Sequence, residues 1–80
     1  MNRKELEDQI FEIISQLYDK DQEELTLKTT FAEDLGGASV LMVGLVSEIE
    51  NELDVMIQLQ EAAACETIGD LVDKVEEEME

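Results

Sequence analysis

Histidine is absent from this 80-residue chain, and with it go the commonest general base at neutral pH and the commonest metal ligand. The single cysteine, Cys65, cannot close an internal disulfide, and no His/Cys cluster offers a zinc site. No proline-rich linker, repeat or low-complexity tract divides the sequence, so residues 1–80 read as one domain. No apolar run approaches the ~20 residues that span a bilayer. The start, MNRKELEDQI, is charged where a signal peptide needs an apolar stretch. These absences predict a cytoplasmic protein with no membrane insertion and a reduced thiol.

Bases are almost as scarce. Five Lys and Arg stand against 22 Asp and Glu, giving a net charge of −17, and no Lys or Arg lies between Thr29 and Asp73. Such a surface repels phosphate backbones, which excludes nucleic-acid binding, and it repels anionic membranes. It attracts basic partner surfaces in a salt-sensitive way and disfavours self-association, so a monomer is expected. The simplest use of the acids is solubility. Apolar residues at 44% still supply a core.

That core is patterned for helices. Leu6, Ile10, Ile13, Ile14 and Leu17 recur at helical spacing, predicting an amphipathic helix over residues 4–18. A long connection follows, from Asp19 to Ala38, with Leu25, Leu27, Phe31 and Leu35 as apolar anchors. Connections of this length are usually functional. It ends in Gly36-Gly37, which permits a tight turn, and Ser39 then stands where a helix should begin, as a favoured N-cap residue. The second helix should run to about Leu53 with Val43, Val46, Ile49 and Leu53 on its core face. Residues 55–66 are ambiguous: Val55-Met56-Ile57 looks extended, and Gln60 to Ala64 suits a short helix. Thr67, with Asp70 three positions on, resembles a capping box opening a last helix whose apolar face is Ile68, Leu71, Val72 and Val75. The expected fold is all-α, a small four-helix bundle of three main helices and one short one with a long first loop.

Catalytic patterns fail in turn. Gly37-Ala38-Ser39-Val40-Leu41 imitates a nucleophile elbow but lacks its second glycine, its strand and its histidine, and a hydroxyl without a base is a weak nucleophile. No twelve-residue window supplies a calcium loop, and phosphate-loop and dinucleotide fingerprints are missing. No catalytic residue and no metal site is assigned, and the chain is not expected to be an enzyme. Nothing basic lies near Cys65 in sequence to activate it, so it reads as a small apolar residue.

The stretch from Phe31 to Val46 resembles the region around the modified serine of acyl carrier proteins, in which an aspartate, Leu-Gly and a short spacer lead to Asp-Ser-Leu at the start of the second helix. The likeness extends over nearly the whole chain, through Leu53-Asp54, Ala62 and Thr67-Ile68. It implies that Ser39 carries 4′-phosphopantetheine, donated from coenzyme A by a phosphopantetheinyl transferase, with acyl groups held on the arm as thioesters. A helix N-terminus suits the phosphate. The role implied is fatty-acid, lipid or specialised secondary-metabolite biosynthesis, served by acyl-loading and acyl-processing enzymes with basic docking surfaces. The resemblance also implies an acyl pocket, for which Val43, Val46, Ile57, Ala62, Cys65, Ile68 and Leu71 are candidates.

Departures are informative. The aspartate before the serine is Ala38 here, the leucine after it is Val40, and Gly36 to Ser47 contains no acid. The expected partner-binding residues are Val40, Leu41, Gly44 and Glu48, with Val40, Leu41 and Met42 forming an apolar patch. A close backbone approach would account for Gly44. The Leu35-Gly36-Gly37 spelling also resembles peptidyl carrier domains. An aminoacyl or peptidyl carrier, or an unmodified carrier-like acidic adaptor, are therefore the alternatives.

Overall fold

The computed structural model describes residues 2–37 and 39–79, Ser39 through its backbone only. Four α-helices follow one another: α1 (Arg3–Tyr18), α2 (Ser39–Leu53), α3 (Leu59–Ala63) and α4 (Ile68–Met79). A single 3-10 turn, Gln22–Glu24, interrupts the long connection. Among the described residues the only β-type pairing is an isolated antiparallel bridge between Thr30 and Thr67.

Local chemistry sets the helix ends. Asn2 caps α1: its side chain accepts from the Glu5 amide at 2.9 Å, and the Glu5 carboxylate accepts from the Asn2 amide at 3.2 Å. The helix stops at Asp19, which adopts a left-handed conformation, as does Asp54 after α2. Aspartate tolerates this region better than most residues. At α4 the expected capping box is present. Asp70 donates its amide to Thr67 Oγ1 at 3.1 Å, and its carboxylate accepts from the Thr67 amide at 3.3 Å.

The helices share one core. Leu6, Ile10, Ile13 and Ile14 of α1 pack with Ile68, Leu71, Val72 and Val75 of α4, and Leu45 and Ile49 bring in α2. Leu25, Phe31 and Leu35 anchor the long loop, while Leu27 is half-buried. Tyr18 is buried where α1 ends, and its ring tilts against Phe31 at 6.3 Å between centroids.

Two expectations about α2 need correction. Its buried residues are Met42, Leu45 and Ile49, whereas Val43 is 51% exposed and Val46 only half-buried. Met42 therefore belongs to the core rather than to a surface patch. The cause lies in the uninterrupted Val40–Val46 stretch, which is apolar on every face, so two stripes at helical spacing fit the sequence equally well. Packing against α1 and α3 selects the stripe beginning at Met42.

Two of the five bases join helices. Arg3 reaches Glu7 and Asp73 at 2.8 Å and Glu76 at 3.1 Å, tying α1 to α4. Lys74 reaches Glu61 at 2.7 Å, tying α4 to α3. Hydrogen bonding to these carboxylates raises both cations' pKa above their ordinary values.

Candidate functional site

The turn before α2 is built by Thr30 and Asp34. The Asp34 carboxylate accepts from the Thr30 amide at 2.8 Å and from its hydroxyl at 3.2 Å, while the Asp34 amide donates back to Thr30 Oγ1 at 3.2 Å. This knot holds Phe31 to Leu35 as a compact turn and brings the Leu35 amide onto the Thr30 carbonyl. Gly36 and Gly37 follow with φ of 84° and 64°, a region that favours glycine. At Gly37 space is short as well, since an added β-carbon would sit 3.3 Å from the Ala32 carbonyl oxygen. The Gly37 amide donates to the Phe31 carbonyl at 2.8 Å. The pair turns the chain so that Ser39 becomes the first residue of a 15-residue helix.

Ser39 thus lies among the free amides that open α2, and no acidic residue occupies the first turn. Of the two acids in the turn before it, Asp34 is engaged with Thr30 and Glu33 is exposed. Ala38 lies outside the described residues. The dipole and free amides at this end of α2 favour an anion such as a phosphate ester.

A cleft of about 640 Å³ opens beside it. Gly37 and Met42, on either side of Ser39 in sequence, both line it. One wall is the turn Thr30–Glu33; the other is Leu59 and Ala63 of α3 with Ala64, Cys65 and Glu66 beyond; Tyr18 completes the lining. The walls are joined at one end by backbone bonds. The Phe31 amide donates to the Glu66 carbonyl, the Ile68 amide to Thr29, and the Gly69 amide to Leu27, at 2.9–3.0 Å. The half-buried Cys65 thiol is pushed above its ordinary pKa, first by desolvation and then by Asp70, Asp73 and Glu61, with Lys74 opposing.

Of the seven residues expected to line an acyl pocket, Cys65 borders this cleft. Ile57, Ala62, Ile68 and Leu71 are closed into the core, Val46 is half-buried, and Val43 faces solvent. The residues foreseen for partner contact spread over two sides of α2. Val40 is 80% exposed, Leu41 packs against the core, Gly44 adjoins Leu17, and Glu48 is half-exposed. Sequence reading missed Leu59 and Met56, which leave 45% and 72% of their surface exposed beside the helix that forms one wall. Their signal was available: both are large apolar residues outside any periodic stripe.

Among the described residues, no group of three or more His, Cys, Asp or Glu is placed to hold a metal ion, and no helix is long and apolar enough to cross a membrane. Fold and site together describe a small all-helical domain with a serine at the start of α2 and a cleft next to that turn. Comparison with known proteins carries this further. A family model described as a phosphopantetheine attachment site matches residues 8–75. An acyl carrier protein of Clostridium perfringens is 34% identical over 73 residues, covering 91% of this chain and 96% of the relative. One of Streptococcus pyogenes serotype M1 is 41% identical over 70 residues, covering 88% and 90%. The chain belongs to the acyl carrier protein family, whose cofactor is 4′-phosphopantetheine and whose members carry intermediates rather than transform them.

Proposed function

We propose that Ser39 is the residue that bears 4′-phosphopantetheine, and that the protein shuttles acyl intermediates between enzymes of fatty-acid, lipid or specialised biosynthesis. One observation carries this reading: Ser39 opens α2 two residues after the left-handed Gly36-Gly37 pair, and Gly37 before it and Met42 after it in sequence both line the cleft. The arm, once attached, supplies the thiol for a thioester. The chain's own residues do the rest. The first-turn amides of α2 favour the phosphodiester on the Ser39 oxygen. The αL glycines bring no side chains to the turn that precedes it. Met42, Phe31 and Leu59 offer apolar surface to an acyl tail, which withdraws it from water.

In this reading the transferase and acyl-processing enzymes dock by basic surfaces on the acids that follow, Glu48, Glu50, Glu52 and Asp54, while Val40, Leu41 and Gly44 give them an uncharged contact near the anchor. The protein works as a monomer in the cytoplasm. Incubation of the unmodified protein with coenzyme A and a broad-specificity phosphopantetheinyl transferase should add the mass of one phosphopantetheine, and Ser39→Ala should abolish the addition. No mass gain with several transferases would instead favour an unmodified acidic adaptor.

A further inference from the structure

We infer that the hydroxyl of Tyr18 is a recognition group of the cleft, and that the cargo it selects is an acyl chain bearing a neutral keto or hydroxyl oxygen. The inference rests on the attachment proposed above and adds to it a specificity-determining residue and a class of cargo.

Tyr18 ends α1, and its ring is held: the residue is 8% exposed and leans on Phe31. Its hydroxyl makes no hydrogen bond to another described residue. Among those residues no buried side-chain nitrogen or oxygen lacks a partner, so this oxygen keeps access to solvent. The open space that Tyr18 borders is the cleft. The other polar side chains of the lining are engaged or lie in water. Thr30 is knotted to Asp34, Cys65 donates to the Glu61 carbonyl at 3.4 Å, and Glu33 and Glu66 are exposed acids. Among the described residues Tyr18 therefore brings the one neutral, uncommitted side-chain donor to a lining that also includes Phe31, Met42, Leu59 and Ala63.

A phenylalanine would fill the same space with the same ring. The added oxygen matters when the cleft is filled. A plain hydrocarbon chain that reaches Tyr18 strips water from the hydroxyl and offers no bond in its place, leaving a polar group unpaired. A chain with an oxygen at that depth restores the bond. A hydroxyl left unsatisfied by the wrong ligand discriminates more strongly than an apolar wall can discriminate by shape. Burial pushes the Tyr18 pKa above its ordinary 10.0, so the phenol keeps its proton at neutral pH. It can donate to a ketone, and it can donate to or accept from a hydroxyl.

The test loads Ser39 with hexanoyl, 3-hydroxyhexanoyl and 5-oxohexanoyl groups from their coenzyme A thioesters, and intact mass verifies loading. Cleavage by hydroxylamine then reads how far each thioester is withdrawn, each rate being divided by that of the same free S-acyl-pantetheine. In the wild-type protein at least one oxygenated form should be cleaved roughly 2–12-fold more slowly than the hexanoyl form, the range of one neutral hydrogen bond. Tyr18→Phe, which keeps the ring and removes only the oxygen, should bring that ratio to one or invert it. A ratio that is the same in both proteins, or a hexanoyl form that is cleaved slowest in the wild type, would overturn the inference. Nuclear Overhauser contacts between the Tyr18 ring and the arm of the unacylated protein would overturn it as well, since the hydroxyl would then serve the arm and not the cargo. If intact mass shows no loading, the attachment reading fails on its own. The three free S-acyl-pantetheines are then titrated into the unmodified protein, where tighter binding of an oxygenated compound that is lost in Tyr18→Phe supports recognition and any other pattern overturns it.

Discussion

Cys65 shows how a thiol can border a cleft and stay unreactive. It borders the cleft where a thioester would be held, and a reactive thiol there would compete for the acyl group. Desolvation and neighbouring carboxylates keep it protonated, and a protonated thiol is a poor nucleophile. The same shift couples the residue to stability. The folded state binds the Cys65 proton more tightly than the unfolded state, and burial does the same for Tyr18. This stabilisation is complete below the ordinary thiol pKa of 9.0 and is lost as pH rises through the folded value. Thermal melts should therefore show a midpoint falling on the alkaline side of that value, and Cys65→Ala should reduce the fall, leaving the share due to Tyr18. A midpoint independent of pH over that range would contradict it.

At the scale of elements, two helical glycines have opposite roles. Gly69, in the first turn of α4, lies against the long loop: an added β-carbon would stand 2.8 Å from the Leu27 carbonyl oxygen, which is backbone and cannot step aside. Gly44, in α2, would place a β-carbon 3.6 Å from the Leu17 methyl, an ordinary contact, so the close backbone approach expected there does not occur. Gly69→Ala should lower stability by about 1–3 kcal/mol through overpacking. Gly44→Ala should raise it by about 1 kcal/mol through helix propensity. Denaturant midpoints of the two variants should move in opposite directions. The contrast also marks what the sequence could reveal. Caps and amphipathic stripes are local, so α1, the Thr67–Asp70 box of α4 and the Gly36-Gly37 turn were all legible. The facing of α2 was not, because a stretch apolar on all sides leaves its rotation to be chosen by neighbouring helices. Nor was the cleft, whose walls come from segments some thirty residues apart and meet only through loop-to-α4 backbone bonds. Tyr18 was overlooked although it continues the stripe of Leu6, Ile10 and Ile14; in the structure it also meets Phe31.

For the whole molecule the governing quantity is a charge of −17 on 80 residues. Self-repulsion opposes the compact state, and salt screens it. Salt also weakens the bridges of Arg3 and Lys74, but surface pairs contribute only about 0–1 kcal/mol each, so the repulsion should dominate. The melting temperature should rise with sodium chloride, and Arg3→Gln, which leaves the α1–α4 contact without its cation, should melt lower than wild type at every salt concentration. A melting temperature that falls with salt would show that the bridges prevail. A different consequence follows from the bonds that fasten the loop to the start of α4. Leu27, Thr29 and Phe31 are synthesised early, yet their partners Glu66, Ile68 and Gly69 come near the end of the chain. A chain made only as far as Ser39 lacks the residues that close the wall beside it. That wall of the cleft can therefore form only after residues 66–69 have been made.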